Sequence, residues 1–131
     1  MTSTPDEYFR DCPLGLAVHR RLEDLFARMA PGTTVRTTKS QVAYRLDRAF
    51  AYLWRPDLYL RAAEAEVVLS IALPWKVASE RFKEVIHPAK KSWMHHLELH
   101  RVQDIDHEVQ RWLLAAAQAA GASPAGSVDS P

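Results

Sequence analysis

The amino-acid sequence predicts an α+β domain: a mainly antiparallel sheet of about five to six strands, with an N-terminal and a C-terminal helix packed on one face. Three observations carry that prediction. Apolar residues recur at steps of three and four near both ends of the chain, and at steps of two in between. The run Glu66–Leu73 puts Val67, Leu69, Ile71 and Leu73 on one side of an extended chain and Val68, Ser70 and Ala72 on the other. It carries no charge after Glu66 and is closed by Pro74, so it reads as a strand covered on both faces. The links between the extended runs are too short to hold helical crossovers, which makes neighbouring strands antiparallel.

The elements follow in order. Residues Pro5 to Cys12 can form a short helical turn with Tyr8 and Phe9 on its apolar side. Pro13 suits the first position of a helix, where its missing N–H would have no partner anyway. Leu14, Val18, Leu22, Leu25, Phe26 and Met29 then form a stripe opposite His19, Arg20, Arg21, Glu23, Asp24 and Arg28, until Ala30-Pro31-Gly32 stops the helix.

From Thr33 to Thr38 β-branched residues dominate, and Lys39-Ser40 reads as a turn. Two alternating runs follow, Val42 to Leu46 and Phe50 to Trp54, a hairpin pattern interrupted by Asp47-Arg48. Asp-Arg lacks a glycine for positive φ, so a loop longer than two residues fits better. If the alternation holds its phase, Tyr44, Phe50, Tyr52 and Trp54 share one face. Arg55-Pro56-Asp57 breaks the strand, and Leu58 to Ala65 fits a loop or a short extended piece.

Residues 79–87 fit a helix capped by Ser79 or a strand ending before Pro88. The strict alternation of Trp93 to His100 favours strand for Arg81 to His87, because the two would form a hairpin across Pro88 to Ser92. Asp104 is the expected cap of the last helix, with Asp106 and Glu108 favourably placed in its first turn. Ile105, Val109, Trp112, Leu113, Ala116 and Ala120 form its buried stripe, and Gly121 is positioned to end it.

The chain has 131 residues, a length suited to a single α+β domain over residues 1–121 with a Ser/Pro/Gly/Ala tail at 122–131 that is expected to be disordered. With 47% hydrophobic and 25% charged residues the composition is that of a globular protein. A net charge of +1 provides no general attraction to nucleic acid or anionic membrane; either partner would need a local patch. The single cysteine, Cys12, excludes an internal disulfide framework and a multi-cysteine zinc site. The N-terminal residues lack a signal-peptide pattern, and no apolar run approaches the ~20 residues of a membrane span, so a cytoplasmic protein without a membrane partner is expected.

At Trp93-Met94-His95-His96-Leu97-Glu98-Leu99, Asp104-Ile105-Asp106-His107-Glu108-Val109 and Trp112-Leu113 the chain resembles a family of small bacterial domains known only as a domain of unknown function. Some of its relatives are labelled predicted transport proteins. Lys39 to Tyr44, Phe50 to Pro56 and Arg81 to Pro88 support the resemblance, which runs from about Pro13 to Ala120. It implies a compact α+β domain and brings with it no reaction and no catalytic residue.

His96, Glu98 and His100 alternate on one strand face. Neighbours such as His96 and Glu98 stand ~7 Å apart, within reach of a shared metal, and His87 across the hairpin is the third candidate ligand. The competing reading is a solvated polar face. His95 lies on the side of Trp93 and Leu97, where a buried neutral imidazole bonded to a backbone carbonyl is favoured over proton transfer. Lys39, Arg48 and the aromatic hairpin combine cations with stacking surfaces, the basis of a nucleic-acid alternative that near-zero net charge disfavours.

Cys12 at a helix start reads as a packed small residue rather than a nucleophile. Glycine-rich phosphate loops, His-Glu-x-x-His and Gly-x-Ser-x-Gly are absent, and no cofactor is expected. The resulting expectation is a non-enzymatic module that meets a small ligand or a second copy of itself. Its site would use Lys39, Tyr44, Arg48, Tyr52, Trp54, Trp93 and His95 on an aromatic sheet face that Phe50 and Trp75 extend. The alternative is a metal-assisted enzyme using His87, His96 and Glu98.

Overall fold

A computed structural model describes residues 3–58 and 63–121. The described chain runs α1 (Pro5–Tyr8), α2 (Pro13–Met29), β1 (Thr34–Thr37), β2 (Val42–Arg45), β3 (Ala49–Trp54), β4 (Val67–Leu73), β5 (Phe82–Ala89), β6 (Ser92–Leu99) and α3 (His107–Gly121). The strands form one antiparallel sheet in the order β1-β2-β3-β4-β6-β5. Residues 59–62, part of the ambiguous Leu58–Ala65 stretch, and the 122–131 tail lie outside the described residues.

β4 occupies the interior of the sheet, paired along Ala51↔Ile71 and Leu53↔Leu69 with β3 and along Leu69↔Leu97 with β6. Its odd-numbered residues Val67, Leu69, Ile71 and Leu73 are each no more than 2% exposed. At ~1.5–3 kcal/mol for each fully buried aliphatic side chain, this one strand face anchors the core. Both long helices pack on that side. α2 brings Phe26 against Tyr44 and Phe50, with ring centroids 5.3 and 5.2 Å apart, and α3 brings Trp112 to 4.6 Å from Phe82.

Local details depart from the expectations in instructive ways. Leu46, Asp47 and Arg48 form the loop between β2 and β3, longer than two residues as the missing glycine implied, and the register slips there. Tyr44 pairs with Ala51 while Arg45 pairs with Ala49, leaving Phe50 as the extra residue of a bulge. The four aromatics therefore do not share a face. Phe50 turns with Tyr44 into the helix-covered core, where they are 1% and 0% exposed, and Tyr52 and Trp54 stay on the opposite side.

The helix-or-strand ambiguity at 79–87 resolves as strand. The hairpin is tighter than expected, because β5 continues through Pro88 and Ala89 to a turn at Lys90-Lys91. Pro88 is tolerated there because β5 is an edge strand. Asp104 is not the cap of α3. Its carboxylate instead accepts from the His100 and Arg101 N–H groups, and Asp106 caps by accepting from the Val109 N–H at 3.1 Å.

One connection shapes the rest. β4 and β5 both run antiparallel to β6 and so parallel to each other; residues 74–81 must carry the chain back along β6 from the level of Trp93 to that of Leu97. That is about 13 Å. The link crosses on the helix side, where the Val77 N–H donates to His95 Nε2 at 2.9 Å. Nε2 is thus the acceptor nitrogen, and Nδ1–H donates to the Ile71 carbonyl at 3.2 Å.

Candidate functional site

The sheet face turned away from α2 and α3 is built from the even-numbered residues of the three central strands: Tyr52 and Trp54 on β3, Val68, Ser70 and Ala72 on β4, Met94, His96 and Glu98 on β6. Register brings Tyr52 opposite Ser70, and Ser70 opposite His96. A chain of short hydrogen bonds follows. Trp54 Nε1–H donates to Ser70 Oγ at 2.8 Å, and Ser70 Oγ lies 2.6 Å from His96 Nδ1. Indole can only donate, and His96 Nδ1 is the one acceptor within reach of the Ser70 hydroxyl among the described residues, so we assign the serine proton to the bond with Nδ1 and the imidazole proton to Nε2. The Trp54 ring meets the imidazole edge to face at 5.9 Å.

This triplet forms the floor of a groove of about 380 Å³ lined by Ser40, Gln41, Tyr52, Trp54, Ser70, Ile86, Pro88, Met94 and His96. None of these lining residues carries a full charge. Ile86, 41% exposed, stands on the β5 wall. A smaller recess of about 120 Å³ continues on the other side of His96, bounded by Val68, Glu84 and the Lys83–Glu98 ion pair at 3.1 Å. Burial lowers the His96 pKa, opposed by the nearby Glu84 carboxylate, so the imidazole is neutral near pH 7. Its Nε2–H has no acceptor among the described residues and is the donor left for a ligand.

The expected site residues scatter. Tyr52 and Trp54 line the groove, and Lys39 lies in the exposed turn beside its rim residues Ser40 and Gln41. Tyr44 is inside the core, its hydroxyl 2.7 Å from His19 Nδ1, and burial pushes its pKa well up. His95 is fully buried beneath the 74–81 link, where burial lowers its pKa. Arg48 lies at the far end of the sheet and donates to the Ala119 carbonyl at 2.8 Å. Trp93 stacks on His87 at 3.8 Å with the rings 4° from parallel.

That stacking also separates His87 from His96. Glu98 is held by Lys83, and among the described residues no three His, Cys, Asp or Glu side chains are arranged to hold a metal. Cys12 is buried, and burial raises its pKa, which leaves the thiol protonated. Ser70 and the Nε2 donor of His96 were the residues that sequence reasoning missed. The signal was present: Ser70 is the one hydroxyl within the apolar run Val67–Leu73.

No helix among the described residues is long and apolar enough to cross a membrane. No curated protein matches the chain, and no solved structure does. A family model does: the chain belongs to the family described as Domain of unknown function (DUF5655), which it matches over residues 6–119.

Proposed function

From membership of a family without an assigned activity, we propose that this protein is a non-enzymatic binding domain whose sheet face turned away from α2 and α3 takes a neutral, planar aromatic or heteroaromatic molecule. One observation carries the reading: Trp54, Ser70 and His96, from three adjacent strands, are wired together beneath an apolar groove, and the second nitrogen of the neutral imidazole has no partner among the described residues. The aromatic and aliphatic walls supply stacking and burial, and the His96 donor fixes orientation. The uncharged lining disfavours ions, whose desolvation would go uncompensated.

The Ser70–His96 pair superficially has the composition of a nucleophile and its base. It is built otherwise: Ser70 is 2% exposed in mid-strand, its oxygen already accepts from Trp54, and no carboxylate among the described residues hydrogen-bonds the far nitrogen of the imidazole. The buried free thiol supports a reducing cytoplasmic setting.

The test is a fragment screen by heteronuclear NMR with indole, quinoline and adenine as probes. Binding should shift the Trp54 and His96 side-chain signals, and Trp54→Ala and His96→Ala should each weaken it about tenfold. Shifts confined to other surfaces, or a stable dimer that closes this face in light scattering, would replace a small ligand with another occupant.

A further inference from the structure

The near-zero net charge conceals a pole. At the end of the sheet where β4 finishes and the β5–β6 hairpin turns, the structure gathers cations. Lys90 and Lys91 make the turn itself. Lys76 extends its Nζ to 5.9 Å from the centre of the Trp93 ring, whose plane is stacked on exposed His87. His87 is held flat by a hydrogen bond to the Lys90 carbonyl at 3.2 Å. Lys91 and Arg48 rim one cavity of about 150 Å³. Among the described residues none of these four cations has a carboxylate partner. Asp47 is the acidic residue of the adjoining β2–β3 loop.

Aromatic surface lies within the same patch. Trp75, next to Lys76, is 53% exposed, the most exposed large apolar side chain among the described residues, and the His87–Trp93 stack presents the outer imidazole plane. Unpaired lysines interleaved with stacking planes are what a sugar–phosphate backbone with unpaired bases requires: counterion release from the phosphates and a π-face for each base. We propose that this end of the sheet binds single-stranded nucleic acid without sequence preference, with Lys76, Lys90 and Lys91 on phosphates and Trp75 stacked on a base. The site adjoins the groove around His96, its cavity sharing Tyr52 and Met94 with that groove, and it supplies the local patch that net charge alone does not reveal.

The experiment is fluorescence anisotropy of a labelled oligothymidylate with the full chain across a salt series. Binding should weaken with salt. The triple variant Lys76→Ala, Lys90→Ala, Lys91→Ala should bind at least about tenfold more weakly and reduce the slope of log K against log salt by about two, at ~0.7 per lost single-strand phosphate contact. Trp75→Ala should weaken binding about fivefold or more at unchanged slope. Arg101→Ala, an exposed cation beyond the opposite end of β6, should leave binding as it is, and circular dichroism establishes that each variant is folded. The proposal is overturned if the parent does not bind, if Arg101→Ala costs as much as the lysine set, or if Trp75→Ala has no effect. Equal competition by polyglutamate, or binding to phosphatidylserine vesicles without binding to the oligonucleotide, overturns it as well.

Discussion

On each face of the sheet a strand hydroxyl is paired with a histidine, His19 of α2 on one side and His96 of β6 on the other, and the two pairs have different fates. On the helix side, His19 Nε2 lies 3.3 Å from the Glu23 carboxylate, which can only accept, so the imidazole proton is assigned to Nε2 and Nδ1, 2.7 Å from the Tyr44 oxygen, takes the hydroxyl proton; both nitrogens are engaged. On the other side, Ser70 occupies His96 Nδ1 at 2.6 Å and Nε2 is left over. Bond lengths scarcely differ. What differs is cover: α2 lies over the first pair, and neither long helix lies over the second. The same chemical motif is internal structure in one place and a recognition element in the other, which composition alone could never distinguish.

The largest way to break this contrast is to hollow out each side. Phe50→Ala removes a ring packed against Phe26 and should cost about 3–5 kcal/mol of unfolding free energy. Tyr52→Ala, two residues along on the side turned away from the long helices, should cost about 1 kcal/mol, as measured by urea denaturation. Comparable losses would mean that both faces are core.

Acid provides the next test. Burial is the foremost cause lowering the pKa of His19, His95 and His96 below the ordinary 6.5. The unfolded chain therefore takes up protons first, so stability is complete above about pH 6.5 and falls as pH drops from there toward the lowered folded values. The slope should approach ~1.4 kcal/mol per pH unit for each histidine in its window. In histidine-resolved NMR titrations, His96 should titrate within the native protein, while His95, fully buried, should charge only as the domain opens. A flat stability profile from pH 7 to 5 would count against all three assignments.

Smaller effects sharpen the comparison. Tyr44→Phe leaves His19 Nδ1 buried without a donor and should cost about 1–3 kcal/mol. Ser70→Ala should cost less, about 0.5–1.5 kcal/mol, because His96 Nδ1 can turn to water. Paired thermal melts of the two variants would reveal a reversed order. Gly15→Ala belongs to the closed side as well: an added Cβ would collide with the ring of Phe9, which is 1% exposed, and should cost about 1–3 kcal/mol.

How much of this was legible before the coordinates depended on range in sequence. The stripes of α2 and α3 and the doubly covered β4 follow from periodicity within single elements, and they were readable. The split of the aromatic hairpin was not, because alternation predicts faces only while the phase is unbroken and the Tyr44/Arg45 slip breaks it. Choosing Asp106 over Asp104 as the cap requires knowing that the chain first makes a 3-10 turn at Val102–Asp104. For the groove, the ingredients were visible, but Trp54, Ser70 and His96 meet only through the registers of two strand pairs. A shift of two residues in either would keep every face and lose the hydrogen bonds.

The path of residues 74–81 has a consequence for assembly. Because β6 lies between β4 and β5, the β5–β6 hairpin must be seated on β4 as one piece, and the chain before it is a short tether that sets where it can land. Two copies with that tether extended could each seat a hairpin on the other's β4, a domain-swapped pair with every native strand contact retained. The bond from Val77 to His95 and the Lys76 ammonium over the Trp93 ring tie the returning path to β6, and both would have to break before the tether could extend.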